Sequence, residues 1–257
     1  MKNNVYIPSD ILKPYIKKII IQETQFNNTY RVLPDTSLVM GFQYKGKVSI
    51  VEDNNETPLY TIGITGLIDT FRIFTNTNNL GSILVYFTEI GAYNFFTVPI
   101  NELFNKSVSL DNLIKPLKVK EVEEQLLEAN SDKERINIVE SFLISELNLN
   151  KSDSAIYSAI YKINHSKGSI PIHELSKELY LSDSALEKRF RKVVGTSPKK
   201  YSKIVRIKNA VYEMEITKTY NKSFYEDKYF DQSHFIKEFK AHTGLTPKKF
   251  KMELSKK

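Results

Sequence analysis

Between Thr36 and Thr88 the apolar residues come in short or alternating runs cut by turn formers, as in Leu38-Val39-Met40, Lys47 to Val51, Phe71 to Phe74 and Ile83 to Phe87. Runs of this length predict strands. Gly46, the cluster Asp53-Asn54-Asn55 and the stretch Asn76 to Asn79 supply the positive-φ and Asx-type positions that hairpin turns need. Successive hairpins of this kind predict a small antiparallel barrel or sandwich. After Glu89 the period changes to that of helices over Val119 to Asn130 and Lys133 to Asn148. Val122, Leu126 and Leu127, then Ile136, Val139, Leu143 and Leu147, are expected to form their apolar stripes. Such a pair either packs on the sheet as core or forms a seam with a second copy.

From Ser152 onward helical segments dominate, broken at Lys167-Gly168, Gly195, Pro198, Gly244 and Pro247. The expected organisation is an α+β multidomain chain. A β-rich regulatory or sensing domain spans 1–118, a helical link 119–150 and an all-α domain 151–257, with the boundary near Asn148 to Ser152.

Charge sharpens that division. The 257-residue chain carries net +7, but residues 1–150 hold 14 Lys and Arg against 18 Asp and Glu, net −4. Residues 151–257 hold 23 against 12, net +11. A basic module joined to a mildly acidic one points to a polyanion partner for the second part, a solvated lysine-rich surface being the plain alternative. There is no cysteine, which removes disulfides, thiolate nucleophiles and cysteine-bound zinc. All four histidines, His165, His173, His234 and His242, lie beyond residue 150, so the β-rich part has no histidine for a metal site or a Ser-His pair. Glu52 with Asp53 is a carboxylate pair, but it sits in a turn cluster and reads as solvated loop. No apolar run is long enough to span a membrane and Met1-Lys2-Asn3-Asn4 opens no signal peptide, so a soluble, cytoplasmic location is expected. No catalytic residue, metal ligand or cofactor is assigned.

The strongest internal signal is a repeat. Ser184 to Tyr201 aligns without gaps on Ser233 to Phe250, 49 residues later, with seven of 18 pairs identical, among them Phe190/Phe239, Gly195/Gly244 and Pro198/Pro247. Leu186 and Phe190, like Phe235 and Phe239, stand four apart and anchor a helix inward. The glycines are placed to end each helix in the left-handed conformation, and the prolines to start the next. Before the first copy, Ile172, Leu175 and Leu179 predict another short helix, with Tyr180-Leu181-Ser182 as the turn and Ser182 as N-cap. Helix, tight turn, helix is the arrangement that sets its second helix in a DNA major groove. Two copies are too few for a stacked helical array, which needs about three or more.

These residues resemble the AraC/XylS family of bacterial regulators. The first unit carries the resemblance in Glu174-Leu175-Ser176, Leu181-Ser182, Leu186, Phe190, Gly195, Ser197-Pro198, Tyr201, Arg206 and Ala210. The second carries it in Tyr229 to Lys240 with Gly244 to Pro247 and Phe250. The resemblance implies a sequence-specific transcription activator with helix-turn-helix units at about 170–195 and 220–244. A helix from about Lys199 to Met214 would join them, and the units would read successive major grooves. Ser223, Phe224, Asp227 and Lys228 depart from the family pattern, so the first helix of the second unit, near Tyr220 to Asp227, is expected to be tilted or loosely packed. Tyr180 stands where the family usually has glycine.

Outer-stripe positions are the candidate base readers: Asp183, Ser184, Glu187, Lys188 and Arg191 in the first unit, and Gln232, Ser233, His234 and Lys237 in the second. Gln232 suits adenine, Lys188 and Lys237 suit guanine or phosphate, and Glu187 suits the cytosine amine. Lys199, Lys200, Lys248 and Lys249, beside the helix starts, are the candidate phosphate contacts. For each lysine the alternative is a solvated side chain, and for His234 a bond within its own domain.

Leu33-Pro34-Asp35, Gly66, Gly81, Val85 to Phe87, Gly91-Ala92-Tyr93, Phe95-Phe96, Pro99, Glu102-Leu103 and Asn105 resemble a domain of unknown function found on some AraC-type regulators. That resemblance implies a cupin-like β fold over about residues 5–115. Tyr86, Phe87, Tyr93, Phe95 and Phe96 either pack as core or line an effector pocket. Double-stranded DNA is the expected partner, with RNA polymerase, a small-molecule effector and a second copy as further candidates. A sequence-tolerant nucleic-acid binder and an enzyme with an unrecognised carboxylate site remain as alternatives.

Overall fold

The computed structural model describes residues 2–53, 55–217 and 231–254. The strands within them are β1 (Lys2–Tyr6), β2 (Ile16–Thr24), β3 (Asn28–Val32), β4 (Val39–Lys45), β5 (Val48–Glu52), β6 (Asn55–Pro58), β7 (Ile62–Thr65), β8 (Arg72–Asn76), β9 (Leu80–Phe87) and β10 (Ser107–Ser109). They form a larger sheet ordered β1-β2-β9-β4-β7-β10 and a smaller one ordered β3-β8-β5-β6, antiparallel throughout. The expected turn residues hold the left-handed backbone, with φ of 63° at Gly46, 49° at Asp53 and 54° at Asn79.

The helices are α1 (Pro116–Glu128), α2 (Asp132–Glu146), α3 (Ser154–His165), α4 (Ile172–Glu178), α5 (Asp183–Val194), α6 (Pro198–Thr217), α7 (Gln232–Thr243) and α8 (Pro247–Leu254). Residues 220–227, expected as the first helix of the second unit, lie outside the described residues.

Strand alternation assigns the two faces of the larger sheet. On β4, Met40, Phe42 and Tyr44 are buried beneath α1 and α2. The Phe42 ring meets Phe142 edge-on at 6.1 Å, and the Arg135 guanidinium sits 4.3 Å from the Tyr44 ring centre. The other face of β4, with Val39, Gly41 and Gln43, turns to the smaller sheet across a cavity of about 460 Å³. On β9, Ser82, Leu84 and Tyr86 line this cavity, while Ile83, Val85 and Phe87 are buried. Val122, Leu126, Ile136, Val139 and Leu143 are buried as core. Leu127, expected on the same stripe, is 63% exposed, because the face of α1 turned to the sheet ends at Leu126. Phe87, Phe95 and Phe96 are core, with the Phe87 and Phe95 rings 5.3 Å apart, and Tyr86 is cavity wall.

The connection between α2 and α3 is pinned to the β-rich part. The Asn94 amide donates to the carbonyls of Asn148 and Lys151, both at 2.9 Å, and Lys151 Nζ donates to the Tyr93 carbonyl at 3.0 Å. One apolar cluster runs from Leu12 through Ile100 and Leu103 to Leu186, Phe190 and Tyr201. A separate small cluster holds Ile207, Ala210 and Met214 against Phe235, Phe239 and Phe250. No helix among the described residues is long and apolar enough to cross a membrane.

Candidate nucleic-acid interface

In the first unit, α4 buries Leu175 and hands the chain to a three-residue turn in which Tyr180 holds φ 54° and is 96% exposed. Ser182 caps α5, its Oγ accepting from the Ala185 N–H at 3.2 Å. Leu186, Phe190, Val193 and Val194 face inward, and the Phe190 ring meets the buried Tyr201 of α6 edge-on at 5.4 Å. Gly195 then takes φ 99°, a conformation in which a Cβ would meet Ile100 Cγ2 at 2.9 Å, and α6 starts at Pro198.

The second unit repeats this construction. Asp231 caps α7 by accepting from the His234 N–H at 2.7 Å, Phe235 and Phe239 turn inward, Gly244 ends the helix at φ 77°, and Pro247 opens α8. Each of α5 and α7 thus starts at a capping side chain and buries one aromatic-bearing stripe, so its opposite stripe faces solvent.

All thirteen candidate contact residues are exposed, nine on α5 and α7 and four at the starts of α6 and α8, but their surroundings differ. Ser184, Lys188, Lys199, Gln232, Ser233, His234, Lys237, Lys248 and Lys249 are exposed. The Asp183 carboxylate accepts the Ser176 hydroxyl, which fastens α5 to α4. Glu187 and Arg191 pair along α5 at 2.6 Å, the i, i+4 geometry. Lys200 reaches away from the other lysines to Asp69 at 2.9 Å, its ammonium 4.6 Å from the Phe104 ring centre. Burial works to raise the Asp69 carboxyl, but the bonds from Lys200 and Asn105 outweigh it and hold that carboxyl below its ordinary range.

Several polar partners escaped the sequence reading because they are far apart in the chain. Asp153 caps α3 and also takes Arg189 of α5 at 2.6 and 2.9 Å. Asp35 pairs with Lys208 of α6 at 2.5 Å, and Arg31 reaches Glu253 of α8 at 3.4 Å. Glu238, on the inner side of α7, faces Arg206 and Lys203 of α6 at 3.4 and 3.5 Å. The segment following β3 has two contacts at once. Leu33 and Asp35 line the cavity, yet Leu33 also packs on the second-unit cluster.

Two families match the chain: a helix-turn-helix domain at residues 175–253, and a domain of unknown function at residues 4–109. The Msm operon regulatory protein of Streptococcus mutans is 35% identical over 121 residues, which are 46% of this chain and 44% of that relative. The match therefore spans less than half the length of this curated relative. Among solved structures, ToxT of Vibrio cholerae O395 is 14% identical, with a TM-score of 0.47 over 95% of this chain and 99% of its own. The AraC-like transcriptional activator CuxR is 14% identical, with a TM-score of 0.32 over 81% of this chain and 79% of its own. Residues 175–253 are accordingly an AraC-type helix-turn-helix domain, standing behind a domain of unknown function at residues 4–109.

Proposed function

We propose that the whole protein is a sequence-specific transcription regulator that sets α5 and α7 in two successive major grooves on one face of DNA. The observation that carries this reading is the duplication itself. Two helices of the same build, each capped in front, stopped by a left-handed glycine and followed by a proline-started helix, expose polar, cation-bearing stripes on a segment of net charge +11. On this reading Gln232, Ser184, Lys188 and Lys237 meet base edges, and Lys199, Lys248 and Lys249 meet phosphates. Asp183 and Glu187 serve the first recognition helix chiefly by holding Ser176 and Arg191 in place.

A nuclease footprint on the DNA upstream of the protein's own coding sequence, with nonspecific competitor at near-physiological salt, tests the reading. Protection over two neighbouring major grooves, about one helical turn apart, is expected. Binding that competitor abolishes would leave only phosphate attraction and overturn it. Gln232→Ala is expected to reduce discrimination at one base pair by about 1–3 kcal/mol while leaving the other positions unchanged. Unaltered preference at every position would remove Gln232 from base reading.

Lys200 belongs to the phosphate-contacting set only if it leaves Asp69. Asp69→Asn is therefore expected to tighten DNA binding by about threefold, within the roughly 0–1 kcal/mol of an exposed ion pair. Weaker binding in a titration would place Lys200 outside the interface.

The cavity between the sheets supports an effector site in the β-rich part. Its volume of about 460 Å³ suits a small molecule, and the hydroxyl of buried Ser82 in its wall has no hydrogen-bond partner among the described residues. Through Leu33 and Asp35, a molecule in this cavity would press on the same segment that touches Lys208 and the second unit.

A further inference from the structure

We infer that Glu238 is a positioning residue that, through Arg206, fixes the angular register between the two recognition helices; the inference rests on the two-groove reading above. Helix α6, twenty residues long, packs against α5 of the first unit and against α7 of the second. Its distal half meets the second unit mainly through side chains of the apolar cluster around Phe235 and Phe239. Burial of the Phe235 and Phe239 stripe sets which face of α7 meets α6, but apolar contacts are non-directional and define small rotations less sharply than hydrogen bonds do.

A polar strut crosses that joint. One nitrogen of the Arg206 guanidinium, Nη1, donates to the carbonyl of Gly168 at 2.7 Å, and Gly168 belongs to the loop between α3 and α4 of the first unit. The other, Nη2, donates to Glu238 Oε1 on α7 at 3.4 Å, and Lys203 Nζ stands 3.5 Å from Glu238 Oε2. A Cβ on Gly168 would meet the Ser202 carbonyl oxygen at 2.3 Å and Arg206 Cγ at 2.9 Å, so this loop lies directly on α6. The planar guanidinium has donors at fixed angles and therefore holds its partners in one geometry rather than merely near each other.

Burial makes the strut selective. The Glu238 side chain is only 5% exposed, and a buried carboxylate is tolerated where cations and donors meet it. Rolling α7 by part of a turn would lengthen the contacts of this buried carboxylate with Arg206 and Lys203. The apolar cluster sets how far α7 sits from α6, and the strut sets its rotation. Because Gly168 is tied to the same guanidinium, that rotation is referred to the first unit.

The test uses the full chain and duplexes carrying the footprinted site, with the interval between its two half-sites lengthened or shortened by one base pair. One base pair turns the second half-site by roughly 35° about the DNA axis. Wild-type protein is expected to prefer the natural interval by about tenfold, on the scale of a mismatched base pair. Glu238→Gln, which keeps the shape but not the charge, should bring the three intervals within about threefold of one another while leaving binding to an isolated first half-site unchanged. Arg206→Lys, which keeps the charge but lacks the fork, should do the same, and it carries the test if Glu238→Gln melts the second unit. Retention of the wild-type interval preference by these variants would overturn the strut. Wild-type protection of both grooves with no interval preference would overturn it too, and wild-type protection of a single groove would overturn the two-groove reading itself.

Discussion

Phe239→Ala is expected to unfold the second helix-turn-helix unit while the remainder of the chain stays folded, and to shorten the DNA footprint to the single groove read by α5. Phe239 is fully buried, with the Phe235 ring centre at 5.6 Å and the Phe250 ring centre at 5.5 Å. Removing such a ring from a packed site costs about 3–5 kcal/mol, because the cavity left behind adds to the lost burial. Among the described residues the cluster that holds it buries Ile207, Ala210, Met214, Phe235 and Phe250 beside Phe239, apart from the cluster of the first unit. Phe190→Ala removes the equivalent ring of the first unit and is expected to cost the same about 3–5 kcal/mol, but with a different outcome. Phe190 belongs to the cluster that runs from Leu12 to Val205, so its loss should lower the melting of the β-rich part and the first unit together. Thermal unfolding followed beside footprinting separates the cases. A full-length footprint from Phe239→Ala, or a β-rich part that melts unchanged in Phe190→Ala, would contradict this division of the core.

That contrast also marks where the amino-acid sequence is readable. The repeated unit is legible because its signals are local: a pair of large apolar residues four apart, a glycine placed to stop the helix, a proline placed to restart it. Each of those features occupies the expected conformation in both copies. The strands β4, β5, β8 and β9 are legible for the same reason, since each holds one of the short apolar runs. β2 was not, because Lys17 and Lys18 interrupt its apolar run. In the fold the register shifts between Ile16 and Lys18; Lys17 pairs with Glu89 at 2.8 Å and Lys18, in the cavity wall, lies 4.7 Å from the Tyr86 ring centre, while Ile16, Ile19 and Ile21 form core. Glu187 and Arg191 stand on the outer stripe that predicts DNA contact, although their spacing of four also announces the ion pair they form. Lys200 with Asp69, Lys208 with Asp35 and Arg189 with Asp153 leave no such trace, since partners so distant in the chain meet only once the fold exists. Glu238 lies between. It stands three residues after Phe235, on the buried side of α7, so a charge in an apolar stripe could have signalled a cation opposite, but not which one.

The triple variant Lys199→Ala, Lys248→Ala, Lys249→Ala is expected to lower DNA affinity by orders of magnitude at low salt and to flatten its salt dependence. These three side chains are exposed at the starts of α6 and α8, where each recognition helix has just ended and the chain turns back across its unit. The N–H groups of Lys200 and Lys249 are already capped by the Ser197 and Thr246 hydroxyls, so on the two-groove reading the lysine ammonium groups themselves meet the phosphates. Every phosphate neutralised releases condensed counterion, so the slope of log K against log salt falls by about 0.9 for each contact. Loss of all three should therefore reduce the slope by roughly 3, with base preference kept, because phosphate contacts position the protein and base contacts specify. The measurement is a set of binding titrations across salt concentrations, for the footprinted site and for a scrambled duplex. If these lysines are phosphate contacts, the two duplexes weaken in parallel. A variant whose slope matches the wild type would show the three lysines to be solvated, and the search for phosphate contacts would move to the cations nearer the bases, Lys188 and Lys237. A variant that loses the footprinted site but keeps the scrambled one would show that they read bases instead.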